Sequence, residues 1–249
     1  MVSISLCMIV RNEEKVLGRC LACVQGFADE IIIVDTGSTD RTKEIAFSFT
    51  DKVYDFKWKD DFAAARNFAF SKGTGDYLFW LDADDVIRQE EWRKLMDLKR
   101  RLDMERLDVV MMKYAVGYDG DGAPSFFFYR ERLLRRCGKA VWKGRIHEAV
   151  EPFGKVVRED IMIEHRKVGT GDPDRIFGYL SRCSGRRGNY LRGISIIMER
   201  NYITTEGIGM LLPYFRNIWN CRMAGGKTGW MPAGMERTVC TGSGTGTGH

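Results

Sequence analysis

The chain has 249 residues, of which 44% are hydrophobic and 29% are charged, an ordinary composition for a soluble globular protein of one large or two small domains. Its net charge of +5 suits an anionic substrate such as a nucleotide diphosphate but is too small and dispersed to indicate nucleic-acid binding. Seven irregularly spaced cysteines fit no disulfide framework, and no stretch approaches the roughly 20 apolar residues of a membrane span. We therefore expect reduced thiols, a cytoplasmic location and at most peripheral contact with a membrane.

The first part of the chain alternates between short apolar runs and helical patterns. The apolar runs that predict strands occupy residues 4–10, 30–35, 52–56 and 77–81. Apolar residues at helical spacing predict helices over residues 16–21, 41–49 and 61–71. Strands that are apolar on both faces are typical of a parallel sheet covered by helices, so the sequence predicts an α/β fold.

Polar residues follow three of these predicted strands at the point where each strand ends. Arg11 and Glu13 follow the first strand, and Asp35 ends the second. Asp82 and Asp84 follow the fourth. Because ligands bind such sheets at the carboxyl ends of the strands, these residues predict a single binding site along that edge.

The fourth strand runs into three carboxylates, in the sequence Asp82-Ala83-Asp84-Asp85. A carboxylate is expensive to bury without a partner, so three at the end of a strand need partners. Asp85 is predicted to be the N-cap of a helix over residues 89–106. Asp82 and Asp84 fit either a solvated turn or a site for Mg²⁺ or Mn²⁺ that in turn holds a diphosphate.

Beyond this acidic segment the pattern changes. Consecutive strands without intervening helices are predicted at residues 108–114, 126–130, 156–158 and 161–165, so the sheet is expected to become mixed. The run from Lys99 to Arg101 predicts a solvated helix face. Cys20 and Cys23 have C-x-x-C spacing, but they lie in a helical pattern without a second pair, which argues against a zinc or redox site.

The last part of the chain has weak periodicity. From residue 169 onward Gly, Arg, Asn and Met are scattered, and the chain ends in glycines alternating with Thr and Ser. We expect residues 1–170 to form one domain, and residues 171–249 to be an irregular tail that is helical or disordered.

Four motifs stand in a fixed order within residues 3–170. They are Met8-Ile9-Val10-Arg11-Asn12-Glu13-Glu14, Val34-Asp35-Thr36-Gly37-Ser38-Thr39-Asp40, Ala65-Arg66-Asn67 and Trp80-Leu81-Asp82-Ala83-Asp84-Asp85. Together they resemble the motifs of family 2 glycosyltransferases, and four in order are far more specific than any one alone. The resemblance implies a GT-A (Rossmann-like) fold, with a mixed, mainly parallel sheet flanked by helices, and a nucleotide-sugar donor.

The resemblance also implies where the nucleotide binds. Val10, Arg11, Glu13 and Asp35 would hold its base and ribose, and acceptance of the uracil N–H by Asp35 would favour UDP. Arg66 would pair with donor phosphates, although a surface ion pair on its helix explains the sequence equally well.

The same resemblance assigns the metal and the catalytic base. Asp82 would bind the ribose or a metal-bound water, and Asp84 and His165 would bind Mg²⁺ or Mn²⁺. Family 2 enzymes are expected to invert, with a carboxylate taking the proton of the attacking acceptor hydroxyl, and Glu148 is the candidate. His147 would be a substitute ligand or an orienting group, although a lone histidine is more often structural.

Three functions therefore remain open. The first is an inverting, metal-dependent glycosyltransferase that moves a hexose or N-acetylhexosamine to a hydroxyl or thiol, the acceptor being a glycan, a lipopolysaccharide core or a peptide. The second is a nucleotidyltransferase of the same fold class, although residues 10–13 lack the Gly-rich basic loop it needs. The third is a non-catalytic nucleotide-sugar-binding module.

Relatives with this kind of N-terminal domain often continue into tetratricopeptide-type repeats of about 34 residues. Residues 172–175 look like the entry to such a region, but no such period follows. One hypothesis is that the reading frame was altered after about Arg175. A repeat in another frame of the source DNA would support it, and an intact frame in related strains would contradict it.

Overall fold

The computed structural model describes residues 2–146 and 148–168. The predictions for residues 171–249 and for His147 lie outside these described residues. Within them, the chain forms an eight-stranded sheet with helices against it and a separate two-stranded ribbon. The predicted α/β fold class is confirmed.

The elements of the described region are as follows. The helices are α1 (Leu17–Ala22), α2 (Thr42–Phe47), α3 (Phe62–Lys72) and α4 (Gln89–Glu105). The strands are β1 (Ile4–Val10), β2 (Glu30–Asp35), β3 (Val53–Asp55), β4 (Tyr77–Phe79), β5 (Asp85–Val86), β6 (Val109–Tyr118), β7 (Pro124–Arg135), β8 (Trp142–Lys143), β9 (Ala149–Val150) and β10 (Val156–His165). The sheet order is β3-β2-β1-β4-β7-β6-β10-β5, and β8 pairs with β9.

Strand β1 lies inside the parallel half of the sheet. It pairs in parallel with β2 on one side and β4 on the other, and β3 extends β2 in parallel. Its residues Ile4, Leu6 and Met8 are fully buried in the core on one face, and Cys7 lies in the core on the other. Burial on both faces explains the unbroken apolar run, and the predicted parallel arrangement is confirmed.

The other half of the sheet is mixed, as predicted. Strand β7 is antiparallel to both β4 and β6, and β10 is parallel to β6. Strand β5 adds to β10 in the antiparallel direction. The carboxyl ends of β1, β2, β4 and β10 therefore share one edge of the sheet, which is where the predicted site residues cluster.

Helix α4 corrects one prediction about charge. Lys99 is only 4% exposed, and its Nζ lies 2.8 Å from Asp29 Oδ2 and donates to the Phe27 carbonyl over 2.8 Å. The prediction of a solvated face was therefore wrong for Lys99, because its buried ammonium pairs with the carboxylate of Asp29, which is distant in sequence. Arg100, whose side chain is 67% exposed, does lie on a solvated face.

None of the helices in the described residues is long and apolar enough to cross a membrane. Cys7, Cys20, Cys23 and Cys137 carry free thiols. Cys20 lies in α1 and Cys23 directly follows that helix, so their C-x-x-C spacing spans one helical turn.

Glu30, at the start of β2, ties together three segments at the amino edge of the sheet. It accepts hydrogen bonds from Lys52, from the Ser5 hydroxyl and from Thr74, whose backbone amide lies 2.9 Å away. Burial raises the pKa of Glu30, but these donors outweigh burial and lower the pKa to about 2. The ionised carboxylate is thus part of the native structure.

We expect Glu30→Gln to destabilise the protein by about 1–2 kcal/mol at pH 7, since hydrogen bonds to a charged group are lost. Because the folded pKa lies below the ordinary value of 4.5, this stabilisation is complete above pH 4.5 and is lost as the pH falls toward 2. Urea unfolding should show the same difference in unfolding free energy from wild type at pH 7 and pH 5, and a smaller difference at pH 3. Glu44→Gln, at a side chain that is 70% exposed, is the control, and a constant difference for Glu30→Gln would contradict the assignment.

Candidate active site

The acidic segment begins where β4 ends. Trp80 and Leu81 remain buried after Phe79 but no longer belong to the strand. The chain then turns, and the Asp85 amide donates to the Asp82 carbonyl over 3.0 Å. The Asp82 amide in turn donates to Asp85 Oδ2 over 2.9 Å. Two hydrogen bonds between Asp82 and Asp85 therefore stabilise this turn.

Asp85 anchors this turn through a buried ion pair. Its side chain and that of Arg132 are fully buried, with 2.9 Å between Asp85 Oδ2 and Arg132 Nη1. The Arg132 guanidinium lies 3.9 Å from the ring centre of Trp80 and 4.2 Å from that of Tyr114. The prediction that Asp85 caps α4 was wrong, because Arg88 takes that position without a side-chain cap and Asp85 neutralises a buried arginine.

Asp82 lies beside the same charges. Its Oδ1 is 2.7 Å from Arg66 Nη2, and its Oδ2 accepts from the Tyr114 hydroxyl over 3.2 Å. Burial raises the pKa of Asp82, but the charges of Arg66 and Arg132 outweigh it and hold that pKa well below its usual range. Asp82 is therefore a permanent anion at neutral pH.

His165, at the end of β10, faces the acidic segment. Its Nδ1 lies 2.7 Å from the Tyr114 hydroxyl, 3.1 Å from Asp84 Oδ1 and 3.3 Å from Asp85 Oδ1. Burial lowers the pKa of His165, but the hydrogen bonds to Asp84 and Asp85 outweigh it and raise the pKa to about 9. One ring nitrogen is thus surrounded by three oxygen atoms.

This donor set suits a divalent cation. Ligand atoms of Asp82, Asp85 and His165 all lie within 4.8 Å of one another. Carboxylates with one imidazole are ligands that Mg²⁺ and Mn²⁺ accept. Asp84 is outside this compact group, but it touches the same histidine nitrogen. The side chain of Asp84 is 18% exposed, whereas that of Asp85 is fully buried against a cation, so Asp84 is the more accessible of these two carboxylates.

Arg66 joins the acidic segment to Glu148. Arg66 Nε lies 2.8 Å from Glu148 Oε1, and the Glu148 carbonyl accepts from Arg130 Nη2 over 3.2 Å. The surface ion pair considered for Arg66 is excluded, because this residue is only 6% exposed. Burial lowers the pKa of Arg66, but the charges of Asp82 and Glu148 outweigh it and raise that pKa above its usual range.

The ends of β1 and β2 form the other part of the predicted site. Val10 and Asp35 are register partners in the sheet, and the Thr36 amide donates to the Val10 carbonyl over 3.0 Å. Asp35 is only 2% exposed, and its Oδ2 accepts from the amides of Gly37 at 3.0 Å and Ser38 at 2.9 Å. The carboxylate thus stabilises the turn that follows its own strand.

The loops after β1 and β2 hold each other. Asn12 Oδ1 accepts from the Thr39 amide over 2.8 Å, and the Glu13 amide donates to Thr42 Oγ1 over 2.7 Å. Arg11 is exposed beside these contacts. The structure therefore brings the predicted site residues together in two groups on one sheet edge. The first group is Val10, Arg11, Glu13 and Asp35, and the second is Arg66, Asp82, Asp84, Glu148 and His165.

Sequence reasoning missed Tyr114 and Arg132. Tyr114 contacts both Asp82 and His165, and Arg132 neutralises Asp85. Arg132 did carry a signal, because a charged residue directly before the apolar pair Leu133-Leu134 of a buried strand needs an internal partner. Tyr114 carried none, since a tyrosine is an ordinary strand residue.

Helix α1 also contributes contacts that the sequence did not indicate. Side chains from its last turn, and that of Cys23 directly after it, contact the backbone of residues 82–87. The contacts are Arg19 Nη2 to the Asp84 carbonyl (3.4 Å), Cys20 Sγ to the Asp82 carbonyl (3.3 Å) and the Ile87 amide to Cys23 Sγ (3.4 Å).

The sequence model of Glycosyl transferase family 2 matches residues 5–153, which is more than half of the chain. The protein belongs to this family. The resemblance of its four motifs is thereby confirmed, and the site described above lies in a family 2 glycosyltransferase domain.

Individual relatives differ in how much they share with this domain. A TPR repeat-containing protein of Synechococcus elongatus is 50% identical over 95 residues, which cover 38% of this chain and 24% of that protein. The SPbeta prophage-derived glycosyltransferase SunS of Bacillus subtilis is 33% identical over 144 residues, 57% of this chain and 33% of SunS. The lipopolysaccharide core biosynthesis glycosyltransferase LpsC of Rhizobium meliloti is 26% identical over 244 residues, 89% of this chain and 84% of LpsC.

The chain thus spans between a quarter and a third of the length of the first two relatives. The first of them carries TPR repeats, as expected for relatives with this type of domain.

Solved structures share the fold. Staphylococcus aureus TarS 1–349 in complex with UDP-GlcNAc has a TM-score of 0.52 and 18% identity, covering 68% of this chain and 59% of that chain. Mycobacterium tuberculosis glucosyl-3-phosphoglycerate synthase with Mn²⁺, UDP-glucose and phosphoglyceric acid has a TM-score of 0.50 and 17% identity, covering 74% and 80%. These likenesses confirm the GT-A fold.

We expect Asp85→Asn to destabilise the domain by about 3 kcal/mol, because it leaves the fully buried Arg132 without its counter-charge. Asp84→Asn is the matched comparison in the same turn and should cost only about 1 kcal/mol, because its side chain is partly exposed and loses only its contact with His165. Chemical denaturation of the two variants measures both values. Similar midpoints for the two would show that Asp85 is not the anchor.

Proposed function

We propose that the protein is an inverting, divalent-metal-dependent glycosyltransferase that moves a sugar from a UDP-sugar to an acceptor hydroxyl. One observation carries the proposal: Glu148 is fixed by Arg66 next to Asp82, on the sheet edge where Asp84 faces His165. This sheet edge would then provide a carboxylate, Glu148, close to the acceptor, and a metal site, Asp84 with His165, close to the diphosphate of the donor.

The nucleotide is proposed to lie on the ends of β1 and β2, against Val10, Arg11, Glu13 and Asp35. Asp35 accepts from two backbone amides, and a carboxylate has lone pairs left to accept a uracil N–H. The exposed Arg11 adds positive charge beside an anionic ligand. The UDP-GlcNAc complex of TarS and the UDP-glucose complex of the mycobacterial synthase support a UDP donor.

Asp84 and His165 are proposed to hold Mn²⁺ or Mg²⁺, and Asp82 to face the ribose or a water of the ion. Bound there, the ion would neutralise the charge that develops on the departing diphosphate. The Mn²⁺ of the mycobacterial synthase complex supports this choice. Tyr114, donating to Asp82 and touching His165, keeps both side chains oriented.

Glu148 is proposed to be the base. The acceptor oxygen attacks the anomeric carbon as the bond from that carbon to the diphosphate breaks on the opposite side, which inverts the configuration. The acceptor proton passes to Glu148, whose carboxylate is held by Arg66 and whose carbonyl is held by Arg130. The neighbouring His147 remains the proposed orienting group.

The free thiols of the described residues support a reducing compartment, and we propose a cytoplasmic location. We also propose that residues 1–170 form the nucleotide-sugar glycosyltransferase domain. The acceptor is a glycan, a lipopolysaccharide core or a peptide.

Purified protein incubated with a panel of UDP-sugars and Mn²⁺ tests the function: consumption of one donor supports an enzyme, whereas binding without consumption indicates a binding module.

Asp84→Asn should abolish the Mn²⁺-dependent part of UDP binding while the fold stays intact, because an amide is a much weaker ligand than a carboxylate. Calorimetric titration of UDP with and without Mn²⁺ measures this. Asp55→Asn, at an exposed carboxylate at the end of β3, is the control. Unchanged Mn²⁺-dependent affinity would remove Asp84 from the site.

Glu148→Gln should retain UDP affinity and lose at least about 100-fold in turnover, since the amide cannot take the acceptor proton. Donor consumption and UDP calorimetry on the same preparation separate the two effects. Glu151→Gln, three residues further along, is the control. Full activity of Glu148→Gln would assign the base to another residue.

A further inference from the structure

Arg66 contacts two segments of the candidate site, and in each segment it contacts one carboxylate and one indole ring. From the segment after β4 it meets the Asp82 carboxylate, 2.7 Å from Nη2, and the Trp80 ring, 4.6 Å from the guanidinium carbon. From the segment that begins at β8 it meets the Glu148 carboxylate, 2.8 Å from Nε, and the Trp142 ring at 4.9 Å. One guanidinium therefore holds a carboxylate and an indole from each of two segments that are distant in sequence.

The next residue of α3 holds the second segment by its backbone. Asn67 Nδ2 donates to the Trp142 carbonyl over 3.0 Å, and the Trp142 amide donates to Asn67 Oδ1 over 2.8 Å. The Asn67 side chain thus pairs with both the backbone N–H and the backbone C=O of Trp142, as a residue of a neighbouring strand would. These two hydrogen bonds fix the position of that backbone. Arg66 and Asn67 thus hold the segment from Trp142 to Glu148 at both of its ends.

Burial leaves Arg66 poorly placed to bind a donor phosphate directly. Two of its nitrogens already donate to carboxylates, and the third, Nη1, is buried without a hydrogen-bond partner among the described residues. The side chain is 7% exposed, and its faces lie against Trp80 and Trp142. A direct bond from Nη1 to a donor phosphate would therefore require the groups that bury this nitrogen to move.

We propose that Arg66 and Asn67 are positioning residues, which set the place of Glu148 relative to Asp82 and thereby that of the base relative to the donor. This inference rests on the function proposed above. A planar guanidinium can hold two carboxylates at a fixed separation, whereas an ammonium is a single point of charge on a flexible stem. Displacement of a reacting group by about 1 Å is enough to slow a reaction by about 100-fold.

The test uses the full chain with Arg66→Lys and Asn67→Ala. Each variant is assayed for UDP affinity by calorimetry with Mn²⁺, and for kcat and KM with the UDP-sugar that wild type consumes. A positioning role predicts that kcat falls by about 100-fold for Arg66→Lys and about 10-fold for Asn67→Ala, while donor KM and UDP affinity change by less than about threefold. Arg66→Ala should also regain part of its kcat when guanidinium is added below unfolding concentrations.

Lys72→Ala is the matched control, because Lys72 also stacks its charge on aromatic rings of α3 and β3 but lies away from the carboxylates. A rise in donor KM at unchanged kcat would make Arg66 a donor ligand and overturn the proposal, as would wild-type kcat in both variants. If Arg66→Lys fails to fold, the kcat and KM of Asn67→Ala decide. Absence of turnover in wild type with every UDP-sugar would instead refute the proposed function, and this inference with it.

Discussion

The buried ion pair between Asp85 and Arg132 determines the shape of the candidate active site. Both charges are removed from water, so neither is tolerable without the other. Arg132 is held between the rings of Trp80 and Tyr114, and Asp85 accepts from the amide of Asp82. The pair therefore fixes a turn whose remaining carboxylates are free to face the sheet edge.

A second consequence is a balance of charge around one indole ring. Arg66, Arg130 and Arg132 all lie within 5.0 Å of the Trp80 ring centre. Their charges are matched by carboxylates on three different segments, namely Asp82, Asp85, Glu131 and Glu148. Repulsion between the guanidinium groups is offset by these partners, so the arrangement depends on several parts of the chain folding together. The positions of the side chains in the candidate site thus depend on tertiary structure and not on local sequence.

The dependence on contacts between distant segments explains which parts of the fold and of the candidate site could be predicted from the sequence alone. The parallel half was predictable because its strands are apolar on both faces, and the edge with Asp35 and Asp82 followed from strand direction. The role of Asp85 was not predictable, since its partner Arg132 lies on a strand that is distant in sequence. Likewise, a local pattern could not show that Lys99 reaches Asp29. Pairings across the sheet are long-range facts that periodicity does not contain.

Arg19 and Cys20 in the last turn of α1, together with Cys23 directly after it, make hydrogen bonds to backbone atoms of residues 82–87 and not to the carboxylates of that segment. The course of this loop is therefore set by these contacts and by Asp85, whose buried pair with Arg132 fixes the turn. The side chain of Asp84 takes no part in that pair, so it can be exchanged for another polar group while the main chain keeps its course. The domain consequently offers a frame on which the chemistry of position 84 could diverge between relatives, or be redesigned, without rebuilding the fold.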